Sequence, residues 1–306
     1  MSRWVLRCPT TGGSASGVLS SVLLAPIAGA FFGLHMVTAR WGMQRSGADG
    51  VVSSFMATGA AALISLCLAL LSGSVPGAPG LVARFAVIGG IAPGAAGAML
   101  FLAIGRIGSA RSGVFVAMTP MLSVTLAVLV LDEHWEVATV VGTVLTVVGA
   151  LLLTSEQSGG AFGFAGAVLA VLTAAAFAVR DVTARALIAD VDLPNLWMST
   201  ATLAGGASAL ALFCLVSHRP VFDCRFRQTG LAMLPTGVFL AIAMFTMFAA
   251  FHRGDVSLVA PLRNGTQAVV GVVVSAVVFG RRERTPPVLA ALALIAIGGT
   301  VILLQE

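Results

Sequence analysis

The nonapeptide FGLHMVTAR at residues 32–40 recurs as FAVRDVTAR at residues 177–185, with an unbroken Val-Thr-Ala-Arg match at an offset of 145 residues. A second, weaker match at an offset of 147 residues aligns residues 53–68 with residues 200–215. The sequence therefore indicates two similar halves, and this duplication decides the predicted fold.

The composition is that of a membrane protein. Only 9% of the 306 residues are charged and 58% are hydrophobic, whereas a soluble domain has about 25% charged residues. Ten uncharged stretches approach or exceed the roughly 20 residues that a membrane-spanning helix needs. We predict an all-α integral membrane protein with ten transmembrane helices, at 17–39, 51–73, 82–104, 110–131, 136–154, 162–184, 195–217, 230–252, 256–279 and 286–304.

The spacing of the two halves determines their orientation. A repeat of about 147 residues contains five predicted helices, an odd number, so the second half enters the membrane from the side opposite to the first. Two inverted five-helix repeats are typical of transporters that work by alternating access, whereas a receptor or enzyme has no need of them. We expect an N-terminal tail at 1–16, a first repeat at 17–154 and a second repeat at 162–304.

The segment 101–154 and its counterpart at 248–304 resemble EamA-type members of the drug/metabolite transporter superfamily. Both halves share a helix of small residues, a short turn ending in Glu, and a final helix with spaced glycines. The matching residues are Pro120, Glu133, Gly142 and Gly149 in the first half and Gly280, Glu283, Gly298 and Gly299 in the second. Gln267 stands where the first half has Pro120.

This resemblance implies a ten-helix transporter of the bacterial inner membrane, commonly an exporter of metabolites, amino acids or drugs. At the acidic turns, Glu133 and Glu283 are expected to cap the N-terminus of the following helix, where a carboxylate is favoured by the helix dipole.

Charged side chains inside spans are the first candidates for a functional site, because an arginine at the centre costs about 2.5 to 3.5 kcal/mol on an insertion scale. Arg263 lies about a third of the way along the ninth predicted helix, and Asn264 and Gln267 share its helix face. We predict that Arg263 binds a substrate carboxylate and that Asn264 and Gln267 orient it. The alternative is that Arg263 reaches the membrane interface or pairs with a carboxylate of the protein.

The equivalent helices supply the other substrate-binding candidates. On the fourth predicted helix these are Thr119, Pro120 and Ser123, and helix packing is the alternative role for the two hydroxyls. His35 and Arg180 occupy aligned positions on the first and sixth helices. A histidine there would respond to pH and an arginine would hold a carboxylate. Both lie about one turn from the predicted helix ends, which favours interfacial solvation instead.

Several function classes are disfavoured. The chain is basic, with 17 Lys+Arg against 12 Asp+Glu, but its arginines are scattered through short loops and predict no nucleic-acid surface. The four cysteines lack metal-ligand spacing, so we expect no metal, cofactor or disulfide framework. Acid pairs and His/Asp clusters are missing from the predicted spans, which argues against an enzyme such as a lipid-processing one. Asp181 is the only acid near a span interior, which disfavours multidrug/proton antiport, the alternative transporter function.

The predicted function is therefore a transporter, and by the resemblance an exporter, of small metabolites such as amino acids or related carboxylates. Its partners would be that substrate and membrane lipids, and it would act as a monomer or homodimer. The orientation stays open at this point. The arginine count places both termini outside by the positive-inside rule, whereas the resemblance implies cytoplasmic termini.

Overall fold

The computed structural model describes residues 15–76, 79–116, 118–131, 133, 137–155, 164–189, 193–219 and 226–279, with scattered positions between 290 and 301. This part of the chain is helical apart from short connections and contains no strand. Its helices are α1 (Ala15–Ser46), α2 (Gly50–Leu71), α3 (Pro79–Gly89), α4 (Ala96–Val116), α5 (Thr119–Leu131), α6 (Val137–Ser155), α7 (Phe164–Ala189), α8 (Asn195–Val216), α9 (Phe226–Phe251) and α10 (Val256–Phe279).

Seven helical segments in the described part are long and apolar enough to cross a membrane. Two shorter apolar helices, Thr119–Leu131 and Val140–Gly149, accompany them. The chain is therefore an all-helical, multi-pass membrane protein. Glu283, the tail at 1–16 except for the start of α1, and most of the predicted tenth helix at 286–304 lie outside the described residues.

The largest correction to the predicted helices concerns the third and fourth. We predicted a break between 82–104 and 110–131, where the charges of Arg106 and Arg111 interrupt the apolar sequence. The structure instead continues α4 through this region and begins α5 later, at Thr119. A charged residue does not stop a helix, whereas a proline disfavours helical backbone in the residue that precedes it.

A π-helical segment, Gly90–Ala95, joins α3 to α4 and interrupts the regular helix. Ala92 is extended, with φ −151° and ψ 117°, as expected for a residue that precedes a proline. Pro93 is buried and packs against α8, where a Cβ added to Gly206 would lie 2.9 Å from Cγ of Pro93. The interruption therefore occurs inside the bundle.

The helices of the two halves pack against each other in reciprocal pairs. α1 contacts α9 and α10, while α7 contacts α4 and α5. In the same way α2 contacts α9, α8 contacts α3 and the π-helical segment, and α2 and α8 contact each other. The interior is thus built mainly from contacts between the halves.

Glycines allow the helix backbones to touch at these contacts. A Cβ on Gly29 of α1 would collide with the carbonyl oxygen of Arg263, and one on Gly33 would lie 2.9 Å from the carbonyl oxygen of Gln267. Close approach of small residues is the usual basis of helix association in membranes. α1 thereby fixes the position of the stretch of α10 that carries the predicted site residues.

One end of the bundle is closed by a dense apolar core. We call this the closed end: α1, α3 and α10 begin there, and α7 and α9 end there. Its core includes the buried side chains of Phe85, Ile88, Ile188, Met244, Met247, Phe248, Phe251 and Val259. Phe85 and Phe248 form an edge-to-face pair with ring centroids 5.6 Å apart.

Glu133 caps α10 at the closed end. Its carboxylate oxygens accept hydrogen bonds from the backbone N–H groups of Val256 and Ser257, each at 3.1 Å. Two of the free N–H groups of a helix start are thereby satisfied. Glu133 was predicted to cap the following helix, and the helix shown capped is instead α10, because packing between the halves brings the start of α10 to this loop.

Charges around this cap also affect its ionisation. Burial, together with the carboxylate of Asp255, raises the pKa of Glu133 above its ordinary value. The folded protein then holds the Glu133 proton more tightly than the unfolded chain does. The contribution of this residue to stability therefore falls as the pH rises from the ordinary pKa of a glutamate through the raised pKa of Glu133. Asp255 itself pairs with Arg185 of α7 at 2.9 Å.

A pair of glycine variants tests the packing between α3 and α8. Gly205 of α8 lies against the carbonyl group of Ala86 and leaves no room for a Cβ, whereas Gly59 of α2 faces open space. We expect Gly205→Ala to lower the free energy of unfolding by about 1 to 3 kcal/mol through overpacking. The control Gly59→Ala should be neutral or stabilising by up to about 1 kcal/mol. Thermal unfolding in detergent measures both, and equal melting temperatures would contradict the described contact.

Candidate functional site

Three charged side chains meet inside the bundle and form what we call the ionic cluster: Arg180, Asp181 and Arg263. Arg263 of α10 grips both oxygens of the Asp181 carboxylate, at 3.1 Å from Nη1 to Oδ1 and 2.6 Å from Nη2 to Oδ2. Arg180, next to Asp181 on α7, places Nε 3.1 Å and Nη2 2.8 Å from Oδ1. The side chains are at most 4% exposed. The cluster therefore ties α7 to α10.

The ionic cluster lies near the middle of the membrane-spanning region. Arg180 is nine residues before the end of α7 and Arg263 is seven residues after the start of α10. At 1.5 Å per residue these positions are about 13 Å and 10 Å from the closed end, against about 15 Å for half of a hydrocarbon core. Charges at this depth are costly and are expected to be paired and functional.

Aromatic rings and a hydroxyl group complete the surroundings of the cluster. The ring centroid of Phe32 lies 5.9 Å from Cζ of Arg180 and 5.7 Å from Cζ of Arg263, within range of cation–π attraction. Two further rings lie 5.0 and 6.0 Å from these guanidinium groups: Phe177 and Phe251. Ser123 of α5 donates to Oδ2 of Asp181 at 3.4 Å. Helices α1, α5, α7, α9 and α10 all contribute.

The cluster carries one positive charge in excess, because two guanidinium groups share one carboxylate. Asp181 is the only acidic side chain within the described helices. Nη1 of Arg180 makes no hydrogen bond to any described residue, since Nε and Nη2 are the nitrogens that bind Asp181. Arg180 and Arg263 also line a cavity. A guanidinium nitrogen without a partner among the described residues, on a side chain that lines a cavity, is suited to bind an anion.

The cavity extends from the ionic cluster away from the closed end. The atom-free space there, counted together with the open solvent at its mouth, is about 590 Å³. Its wall is mainly apolar, with Phe32, Met36, Pro93, Leu100, Phe101, Phe177 and Leu240, and its polar lining consists of His35, Ser54, Thr58, Arg180, Arg263, Asn264 and Gln267. Ser54 and Thr58 belong to the first three turns of α2, on the side opposite the closed end. The cluster is thus the floor of a one-sided cavity.

Three neutral side chains on the cavity wall offer hydrogen-bond acceptors. Nδ1 of His35 lies 3.2 Å from the carbonyl oxygen of Thr236 and must donate to it, which leaves Nε2 of the neutral ring as an acceptor. Asn264 donates Nδ2 to the carbonyl oxygen of Ala260 at 2.8 Å, and its Oδ1 accepts from no described group. Gln267 donates to Sδ of Met36 at 3.2 Å, which leaves Oε1. Polar acceptors and the positive floor therefore share one cavity.

The structure places five of the eight predicted site residues on this cavity: His35, Arg180, Arg263, Asn264 and Gln267. Ser123 lies beneath the floor, bonded to Asp181. Thr119 and Pro120 are buried at the start of α5 and do not line the cavity, and Oγ1 of Thr119 has no partner among the described residues.

Two expectations about these residues need correction. His35 and Arg180 are 9% and 4% exposed rather than solvated at an interface, because α1 and α7 continue beyond the predicted helix ends to Ser46 and Ala189. Arg263 follows the alternative that we gave, pairing with a carboxylate of the protein. That carboxylate, Asp181, was noted in the sequence but was not predicted as part of the site.

One usable signal in the sequence pointed to Asp181, and none pointed to the other residues of the cavity that were not predicted. Asp181 adjoins Arg180 within a span, and two adjacent ionisable residues in an apolar helix call for an intramembrane partner. The aromatic wall residues Phe101 and Phe177 and the hydroxyls of Ser54 and Thr58 have no such signal, since phenylalanine and serine are ordinary residues of membrane helices.

Comparison with known proteins relates this geometry to a family. No curated protein matches the sequence significantly. A solved crystal structure matches with a TM-score of 0.72 and 22% sequence identity, over 92% of this chain and 96% of the other. At that identity the likeness concerns the fold alone. Residues 19–155 match the model of the EamA-like transporter family. This part of the chain therefore resembles a family of membrane transporters within the drug/metabolite transporter superfamily.

Proposed function

We propose that this protein exports small metabolites that carry a carboxylate, in particular amino acids with apolar side chains, across the inner membrane of a bacterium. The observation that carries the proposal is the excess positive charge of the ionic cluster at the floor of a mainly apolar cavity. The match of residues 19–155 to the EamA-like transporter family supports the transport activity. The export direction and the bacterial membrane rest on the family resemblance.

The charge of the floor selects the sign of the substrate. A buried, unneutralised guanidinium group is unfavourable, so a ligand carboxylate that reaches Nη1 of Arg180 gains a charge-assisted hydrogen bond and removes that cost. A cationic drug would meet repulsion from the same floor. Multidrug or cation efflux, the alternative transporter function, is therefore disfavoured by the electrostatics of the cavity.

The cavity wall selects the rest of the substrate. Acceptor atoms of His35, Asn264 and Gln267 suit the ammonium group of an amino acid, which only donates hydrogen bonds. Phe32, Phe101 and Leu100 offer apolar surface for a side chain. Carboxylate, ammonium and apolar groups of one amino acid would each meet a matching part of the wall.

The mechanism that we propose is alternating access between two inverted five-helix repeats, at 17–154 and 162–304. The reciprocal contacts, α1 with α9 and α10 and α7 with α4 and α5, support it because a two-fold relation between the halves would generate such pairs. The one-sided cavity supports it too. An apolar core and the cap by Glu133 close one end, as expected of one of the two states of such a cycle.

Ligand binding to the purified protein tests the substrate class. We expect leucine, phenylalanine or methionine to raise the melting temperature in detergent, because a ligand of the folded state stabilises it by mass action. The matching des-amino acids should bind more weakly and the decarboxylated amines not at all. Arg263→Ala should weaken binding of the amino acids about tenfold or more, the value of a charged hydrogen bond.

Arg219→Ala is the matched control, because Arg219 pairs with Asp49 at the protein surface, away from the cavity. It should bind like the wild type. Full binding by Arg263→Ala, or stabilisation by the amines alone, would contradict the proposed substrate class and favour cation efflux.

Thiol labelling tests whether the cavity is reached by water from one end. In a variant without native cysteines, Ser54→Cys should react with a small anionic methanethiosulfonate, since Ser54 lines the cavity. Ser65→Cys on the same helix should stay unreacted, because Ser65 is 2% exposed and bonded to Thr200 within the packed half. Mass spectrometry reads both. Equal labelling of the two positions would be inconsistent with a one-sided cavity.

A further inference from the structure

Asp181 has no role in the substrate contacts proposed above, although it organises the floor of the cavity. We propose that Asp181 limits the substrate head group to one negative charge and is thereby a specificity-determining residue. This inference rests on the proposed function, since it concerns which carboxylates the same site accepts.

The hydrogen bonds of the cluster show how many guanidinium nitrogens Asp181 binds. Oδ1 accepts from three guanidinium nitrogens, Nε and Nη2 of Arg180 and Nη1 of Arg263. Oδ2 accepts from Nη2 of Arg263 and from Ser123. Four of the six guanidinium nitrogens in the cluster are thus bound by the protein's own carboxylate. The two nitrogens without a partner among the described residues, Nη1 of Arg180 and Nε of Arg263, are the ones left for a substrate carboxylate.

The charge count sets the limit of one carboxylate. With Asp181 ionised, the cluster holds one positive charge in excess, and a head group with one carboxylate neutralises it. A head group with two carboxylates would leave a net negative charge in a cavity with a mainly apolar wall, where an unpaired charge is costly. Without the Asp181 charge the excess would be two, and the same dianion would be neutralised.

The position of Asp181 fits this role better than direct substrate contact. Its side chain is fully buried and does not line the cavity, whereas Arg180 and Arg263 line it. Asp181 therefore acts through the two arginines, by holding their donors and by cancelling one of their charges. The aromatic rings around the cluster supply no charge, and Nδ1 of His35 is engaged by a backbone carbonyl rather than by the cluster.

The experiment uses two ligands that share an isobutyl chain and differ in the head group: isocaproate, with one carboxylate, and isobutylmalonate, with two. Wild-type protein should bind isocaproate about tenfold or more tightly than isobutylmalonate, a difference of one charged interaction. In Asp181→Asn, which keeps the side-chain shape, the order should reverse. Calorimetric titration in detergent measures the four dissociation constants.

Charge restoration separates this role from a structural one. Arg263→Gln removes the excess charge and should lose isocaproate binding, while Arg263→Gln combined with Asp181→Asn leaves Arg180 as a single positive charge and should recover it. A residue that merely supports the fold would not produce recovery when a second mutation is added. If Asp181→Asn alone fails to fold, the comparison of these two variants decides the question.

The outcomes distinguish the two proposals. If the wild-type protein binds neither isocaproate nor any amino acid of the panel, the proposed function is wrong. If it binds isocaproate but the preference over isobutylmalonate is unchanged in Asp181→Asn, only the role of Asp181 is wrong. Absence of recovery in the folded double variant would overturn that role as well.

Discussion

The ionic pairing of Asp181 with Arg180 and Arg263 is the interaction on which the rest of the interior depends. Arginine side chains of two helices are costly to bury deep in the membrane unless a carboxylate pairs with them. The single carboxylate of Asp181 is shared by both guanidinium groups and joins α7 to α10. Because two guanidinium groups share one carboxylate, one positive charge is left in excess. That excess gives the cavity above the cluster a positive floor, so in the proposed function the contact that holds the helices together also selects the substrate.

The packing around the cluster explains why the cavity does not extend to the closed end. Glycines of α1 bring its backbone against α10 at Arg263 and Gln267, and the apolar core of the closed end fills the space below. On the other side of the cluster the regular helix is interrupted at Pro93, and Pro93 lines the cavity. The Glu133 cap adds a polar contact at the closed end, between the loop after α5 and the start of α10. A packed closed end and a cavity on the opposite side are what the proposed alternating-access cycle requires of one of its two states.

The helical membrane character of the fold and five of the seven polar residues that line the cavity were predictable from the sequence, for physical reasons. Apolar stretches report membrane helices because lipid offers backbone groups no partner, and helical spacing placed Asn264 and Gln267 on the face of Arg263. The pairing between helices could not be predicted from sequence spacing, because Asp181 and Arg263 are 82 residues apart. The same limit explains Glu133, whose helix partner begins 123 residues later. Predicted helix ends were wrong where a charged residue was taken as a boundary, as between α3 and α5.

Counterflow transport in proteoliposomes tests the central claim most directly, that the excess charge of the ionic cluster lies on a transport pathway for amino acids. Vesicles preloaded with an unlabelled apolar amino acid should accumulate the labelled compound transiently through the wild-type protein. Arg219→Gln, at the surface, should preserve this accumulation, and Arg180→Gln, which removes the unpartnered guanidinium nitrogen, should abolish it. Undiminished counterflow in Arg180→Gln at equal reconstitution would contradict the account.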